Sequence, residues 1–131
     1  DNNWTTMIKK NGQALITFLI FTIALFTIGM ASVIIMIINT QTSEKLQQSF
    51  SALYTSESGV ENALLRLLRN PNYAGEVLPV DTGDTTITVT DIGGGQKKIV
   101  SVGKNNTMIR TVEVIIDYTG NIMTIISWKE V

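Results

Sequence analysis

The pattern of apolar and polar positions changes character twice along the chain. Residues 11–43 carry no charged side chain, and within residues 14–38 the only polar members are Thr17, Thr22, Thr27 and Ser32. As a helix, that run is about 37 Å long at about 1.5 Å per residue, enough to cross a hydrocarbon core of about 30 Å. It therefore predicts a transmembrane helix over residues 13–38. A secretory signal peptide fits less well, because its apolar core holds only about 7 to 15 residues before a small-residue cleavage site.

Residues 39–70 keep a helical period but become amphipathic. Projected at about 100° per residue, Leu46, Phe50, Leu53, Val60, Leu64 and Leu68 share one face, while Lys45, Gln48, Ser51, Thr55, Asn62, Arg66 and Arg69 lie opposite. No proline interrupts residues 11–70, and Pro71, which lacks an N–H, stops the helix near Asn70. The expectation is one helix of about 55 to 60 residues, whose second half needs its stripe covered.

From there the period becomes two. Residues 84–90 read DTTITVT, with Ile87 and Val89 alternating against Thr86, Thr88 and Thr90. Residues 98–102, 108–118 and 122–128 are further β-branched runs, punctuated by glycines at 93–95 and by turns at 103–106 and 119–121. This predicts four antiparallel strands in a meander over residues 71–131, with Pro79 demoting residues 73–80 to an edge or a loop. Sheet and helix each have one apolar face, so packing one on the other gives an α+β fold: a long N-terminal helix on a four-stranded antiparallel sheet.

Composition then narrows the chemistry. The net charge is -1, which does not favour general nucleic-acid binding, and no specific nucleic-acid partner is expected. With no His and no Cys, the chain cannot build a Ser-His-Asp triad, a thiol nucleophile or a CxxC pair. No catalytic residue, cofactor or resident metal is implied, and the expected role is non-enzymatic. Lys9 and Lys10 precede the span, so the positive-inside rule puts that end in the cytoplasm and the sheet outside. The first residue is Asp1 rather than Met, so the basic segment 1–12 is expected to be an incomplete leader.

Lys9-Lys10-Asn11-Gly12 followed by Gln13-Ala14-Leu15-Ile16-Thr17 and a long apolar helix resembles the class III signal of type IV pilins and pseudopilins. The order of basic leader, membrane helix, amphipathic helix and antiparallel sheet is similar to that family across the whole chain. The resemblance implies cleavage by a prepilin peptidase between Gly12 and Gln13, methylation of Gln13, and assembly of the apolar helix into a filament core with other pilin subunits. Residues 56–63, SESGVENA, further resemble a helical stretch of minor, tip-type pilins. Two departures stand out: Thr17 occupies the position where the family usually has Glu, and no disulfide can close a C-terminal loop. The implied role is a structural subunit of a type IV pilus or pseudopilus, minor or tip-located, held in the cytoplasmic membrane and then in a surface filament. The alternative is a single-span, membrane-anchored binding module.

Four residues stand out as candidates for assembly. Thr17 offers only a hydroxyl, which can bond back to a helix carbonyl. Glu57 projects into the centre of the apolar stripe, one turn from the like-charged Glu61. A carboxylate there needs Lys97, Lys98 or Arg110 from the sheet, a place at the stripe's wet margin, or a neighbouring subunit. Gly59 costs about 1 kcal/mol inside a helix, which points to a close approach or a bend. Weaker signals are Asp81-Thr82-Gly83-Asp84, read as a turn before a calcium site, and the glycines at 93–95, which join strands and lack the Lys-Ser/Thr of a phosphate loop. Gly29, Ala31 and Ser32 suit close helix approach in the membrane. Lys97, Lys98 and Lys104 are read as a solubilising cluster.

Overall fold

The computed structural model describes residues 3–81 and 83–131, and for residues 3–11 the backbone alone. One helix, α1 (Asn3–Arg69), is followed by five strands, β1 (Val77–Val80), β2 (Gly83–Gly93), β3 (Gln96–Asn105), β4 (Met108–Thr119) and β5 (Ile122–Glu130). The chain divides into two units, Asp1–Thr42 and Ser43–Val131.

In the first unit, α1 carries a stretch long and apolar enough to cross a membrane, with an 18-residue window of mean hydropathy 2.5 and no burial within the protein. Its hydroxyls are satisfied internally. Thr17 Oγ1 donates to the Gln13 carbonyl at 3.0 Å, Thr22 to Phe18 at 2.8 Å, Thr27 to Ala24 at 2.8 Å and Ser32 to Ile28 at 3.0 Å. A helix in hydrocarbon must satisfy its own polar groups, and these side chains comply without a neighbour. The helix runs unbroken through Gly12, which lies inside it. One glycine costs about 1 kcal/mol and no proline interrupts the segment, so its neighbours outweigh it.

In the second unit, the later turns of α1 lie against an antiparallel sheet of order β1-β2-β3-β4-β5. The sheet has five strands where the sequence predicts four. The added strand contains Pro79 and pairs on one side only, Leu78 opposite Thr85 and Pro79 opposite Asp84, which is the edge position that proline tolerates. Two-residue turns join the longer strands. Gly94 and Gly95 have φ of 66° and 82°, and Gly120 and Asn121 both have 63°, the left-handed pair that matches strand twist. Gly103 is not in a turn as predicted. It sits within β3 opposite Arg110, and the turn falls at Asn106 and Thr107.

The core contains Val60, Ala63 and Leu67 from the helix, Ile87 from β2, Ile99 from β3, and Val112, Val114 and Ile116 from β4. The helix face that meets the sheet differs from the one predicted. Ala52, Thr55, Ser56, Gly59, Val60, Ala63 and Leu67 are buried, whereas Leu46, Phe50 and Leu68 are 56%, 48% and 55% exposed. At about 100° per residue the buried face is turned by roughly 100° from the stripe of large residues. The cause is distance. A Cβ on Gly103 would strike the Ala52 carbonyl oxygen and lie 2.5 Å from the Ser56 nitrogen. Only small side chains fit between backbones so close, so the bulky leucines face elsewhere.

Candidate functional site

The head unit presents three features built from its secondary structure: a polar seam under the helix, a carboxylate hub at the helix end, and an apolar groove along the helix.

The seam lies where helix and sheet are closest. In β3 the alternation of Ile99, Ser101, Gly103 and Asn105 points toward α1, and three of those four are small or polar. Thr85 and Ser101 share a buried hydroxyl bond of 2.7 Å, and Asn105 Nδ2 donates to Ser51 Oγ at 2.6 Å. Thr55 and Ser56 are buried too and donate to the Ser51 and Leu53 carbonyls of their own helix. Buried hydroxyls cost little when paired in this way, and they keep the two backbones close. Gly59 belongs to the same seam: a Cβ there would strike Ser101 Oγ and come within 2.6 Å of Thr85 Oγ1. Of the two roles the sequence leaves open for Gly59, close approach is the one observed.

Glu57 is half-buried, and none of its expected cations reaches it. Lys98 Nζ lies 3.4 Å from Glu113, Arg110 pairs with Glu130 at 3.0 Å, and Lys97 donates to the Pro71 carbonyl at 2.8 Å with Asp91 at 3.9 Å. The internal pair is therefore corrected to the wet margin of the buried face, because the face has turned and left Glu57 at its border. Glu61, one turn on, is exposed. Of the three lysines, Lys97 and Lys98 have separate carboxylate partners, Asp91 and Glu113. Glu113 accepts from Lys129 at 3.1 Å as well as from Lys98, and hydrogen bonding to Lys129, reinforced by Lys98 against a desolvation penalty, holds its carboxyl below the usual range.

The hub has no counterpart in the sequence reading. Glu76 Oε1 accepts from Asn62 Nδ2 and from the Tyr73 hydroxyl, each at 3.0 Å, with Arg66 Nε at 3.3 Å. Burial, then the hydrogen bond to Glu76 and its charge, push the Tyr73 hydroxyl up to about 12, against a smaller opposing effect of Arg66. The spacing of Asn62 and Arg66 on one helix face is a signal, but their partner comes from a loop whose path the sequence does not dictate.

Along the helix, Leu46, Phe50, Tyr54 and Ser58 form one wall of an open groove of about 650 Å³, closed on the other side by Val80 and Asp81. Asp81 lies in the turn between β1 and β2, Asp84 is the second residue of β2 opposite Pro79, and Thr82 lies outside the described residues. In the first unit, Gly12 and Gln13 are exposed, and a Cβ on Gly12 would meet nothing within 4 Å. Gly29 has the same open surroundings. Lys9 and Lys10 lie in helical backbone, and their side chains fall outside the described residues. Comparison with protein-family models, curated proteins and solved structures gave no match for this chain.

Proposed function

We propose that this chain is a structural subunit of a type IV pilus or pseudopilus, minor or tip-located, cleaved after Gly12 and assembled through its apolar helix. The observation that carries the reading is the pairing, in one chain, of an unburied apolar helix with a head that leaves large apolar residues of its own helix uncovered. A mere tether needs only lipid around its span, and its head gains nothing from Leu46, Phe50, Tyr54, Leu65 and Leu68 in water. A filament subunit exchanges lipid and water for neighbouring chains, which makes both surfaces useful. The resemblance in residues 9–17 supports the same reading and supplies the prepilin peptidase, the pilus assembly machinery and other pilin subunits as partners. On it, the N-terminus lies in the cytoplasm and the sheet outside.

Thr17 argues for the tip. Its hydroxyl is already bonded to the Gln13 carbonyl, so it offers no charge to a subunit ahead of it. The test is quantitative mass spectrometry of sheared, purified filaments, combined with deletion of the protein. The expected result is a trace subunit whose loss abolishes filaments. Finding it as the most abundant subunit would refute the tip position. A second reading, a membrane-anchored binding module, draws on the groove beside Phe50 and Tyr54, whose volume suits a small ligand.

A further inference from the structure

The last strand of the sheet carries a sequence that other chains could stack upon. A free edge is a row of unpaired N–H and C=O groups, and it is a hazard where the strand is long, uncharged and β-branched. At one edge of the sheet, β1 is four residues long and contains Pro79, which limits what it offers. At the other, β5 is nine residues long and opens with IMTIISW, a run without charge or proline. Ile122, Ile125, Ile126 and Trp128 in that run are 69%, 48%, 52% and 41% exposed. By composition this is the segment of the head most prone to recruit a further strand.

Inside that run the ladder slips. Ile116 faces Ile125 and Ile115 faces Ser127, so Ile126 is an extra residue, a β-bulge. Backbone bonds on either side show what the bulge does to the edge. Tyr118, opposite Met123, donates to Gly95 on the β3 side, so the groups of Met123 point away from β4 into the open. Val131 donates to Thr111 on β4, so the groups of Glu130, one residue earlier, also point outward. In an unbroken strand such residues lie an even number apart, whereas Met123 and Glu130 are separated by an odd number. The outward set is therefore Met123 and Ile125, then Trp128 and Glu130, with a three-residue step at the bulge. An incoming strand repeats every two residues, so it can follow one half or the other. Each half, 122–125 or 127–130, is only as long as β1. We propose that the bulge at Ile126 is a guard that closes the β5 edge to strand addition, so that the sheet ends at five strands. The proposal goes beyond the filament reading and does not depend on it. The faces of β5 do not require the bulge. Without Ile126, Ile125 would still face Ile116, and Ser127, Trp128, Lys129 and Glu130 would keep Ile115, Val114, Glu113 and Val112 as partners.

The test compares the full chain in mild detergent with a variant lacking Ile126. The probe is a fluorescent peptide with the sequence of residues 122–130 less Ile126, carrying a lysine tail for solubility, and binding is read by anisotropy against detergent alone. With the ladder continuous, the peptide can bond along the whole strand, and the deletion variant should bind it about tenfold more tightly than the parent. Adding Ile125→Pro to the deletion variant removes an outward N–H without touching the bonds to β4, so it should return the affinity toward that of the parent. Equal affinity for parent and deletion variant, including no binding to either, would overturn the proposal. So would binding that ignores Ile125→Pro, because it would not be strand addition. Loss of the far-ultraviolet spectrum on deletion would overturn it as well, by making the bulge a requirement of the fold and not a guard on its edge.

Discussion

Replacing Gly59 with alanine probes the contact that sets the helix face. At an exposed helical position this change stabilises by about 1 kcal/mol. Here the new Cβ would strike Ser101 Oγ and lie 2.6 Å from Thr85 Oγ1 and 2.9 Å from Thr85 Cγ2. Thr85 is β-branched and stiff, and its hydroxyl is bonded to Ser101 at 2.7 Å, so neither neighbour moves freely. Overpacking costs about 1–3 kcal/mol, and separating the buried hydroxyls costs about 1–3 kcal/mol more where the same shift does not relieve both. With both costs in force, the net after the helical gain is a loss of about 1–5 kcal/mol. The assay is urea denaturation of the full chain in mild detergent, followed by Trp128 fluorescence in a Trp4→Phe background. Ser101→Gly removes the first clash, so the double variant should recover part of the loss, a coupling that a thermodynamic cycle isolates. Gly59→Ala as stable as the parent, or more stable, would refute the close approach.

Further outcomes follow from the same geometry. Leu67→Ala should destabilise by about 2–5 kcal/mol because Leu67 is 1% exposed in the core. Leu46→Ala should stay within about 0.5 kcal/mol by the same denaturation assay. Ultraviolet difference titration should find Tyr73 ionising near 12 rather than near 10.0, and Glu76→Gln should bring it down. The sign is fixed by linkage: the folded state keeps a proton that the unfolded state releases, so this contribution is intact below pH 10 and is lost as pH rises through 12.

Much of the fold was legible because its signals are periodic and local. Alternation at Ile87 and Val89 and the β-branched runs beyond them placed β2 to β5, and Pro79 correctly marked an edge, though not that the edge forms a strand. The helix face was misread for a physical reason. Hydrophobic patterning weights large side chains, whereas burial under a close-packed sheet selects small ones, and Ala52, Ser56, Gly59 and Ala63 carry little weight in such a projection. Gly103 misled in the same way: a glycine that admits a neighbouring helix looks like a turn until the partner is known. Its strand parity with Ile99 and Ser101 was the available signal. The Glu76 hub depends on a loop bringing residues together, which no local pattern encodes. The back-bond of the Thr17 hydroxyl was legible, because a hydroxyl in an apolar helix has its own carbonyl four residues back.

The account rests most directly on the mature N-terminus. Intact-mass and N-terminal peptide analysis of the protein from shed or sheared surface material should give a chain beginning at Gln13 with a methylated α-amine, and replacement of Gly12 by a bulky residue should leave an uncleaved chain in the membrane. A surface-exposed chain that retains residues 1–12, or processing indifferent to Gly12, would contradict the filament-subunit account.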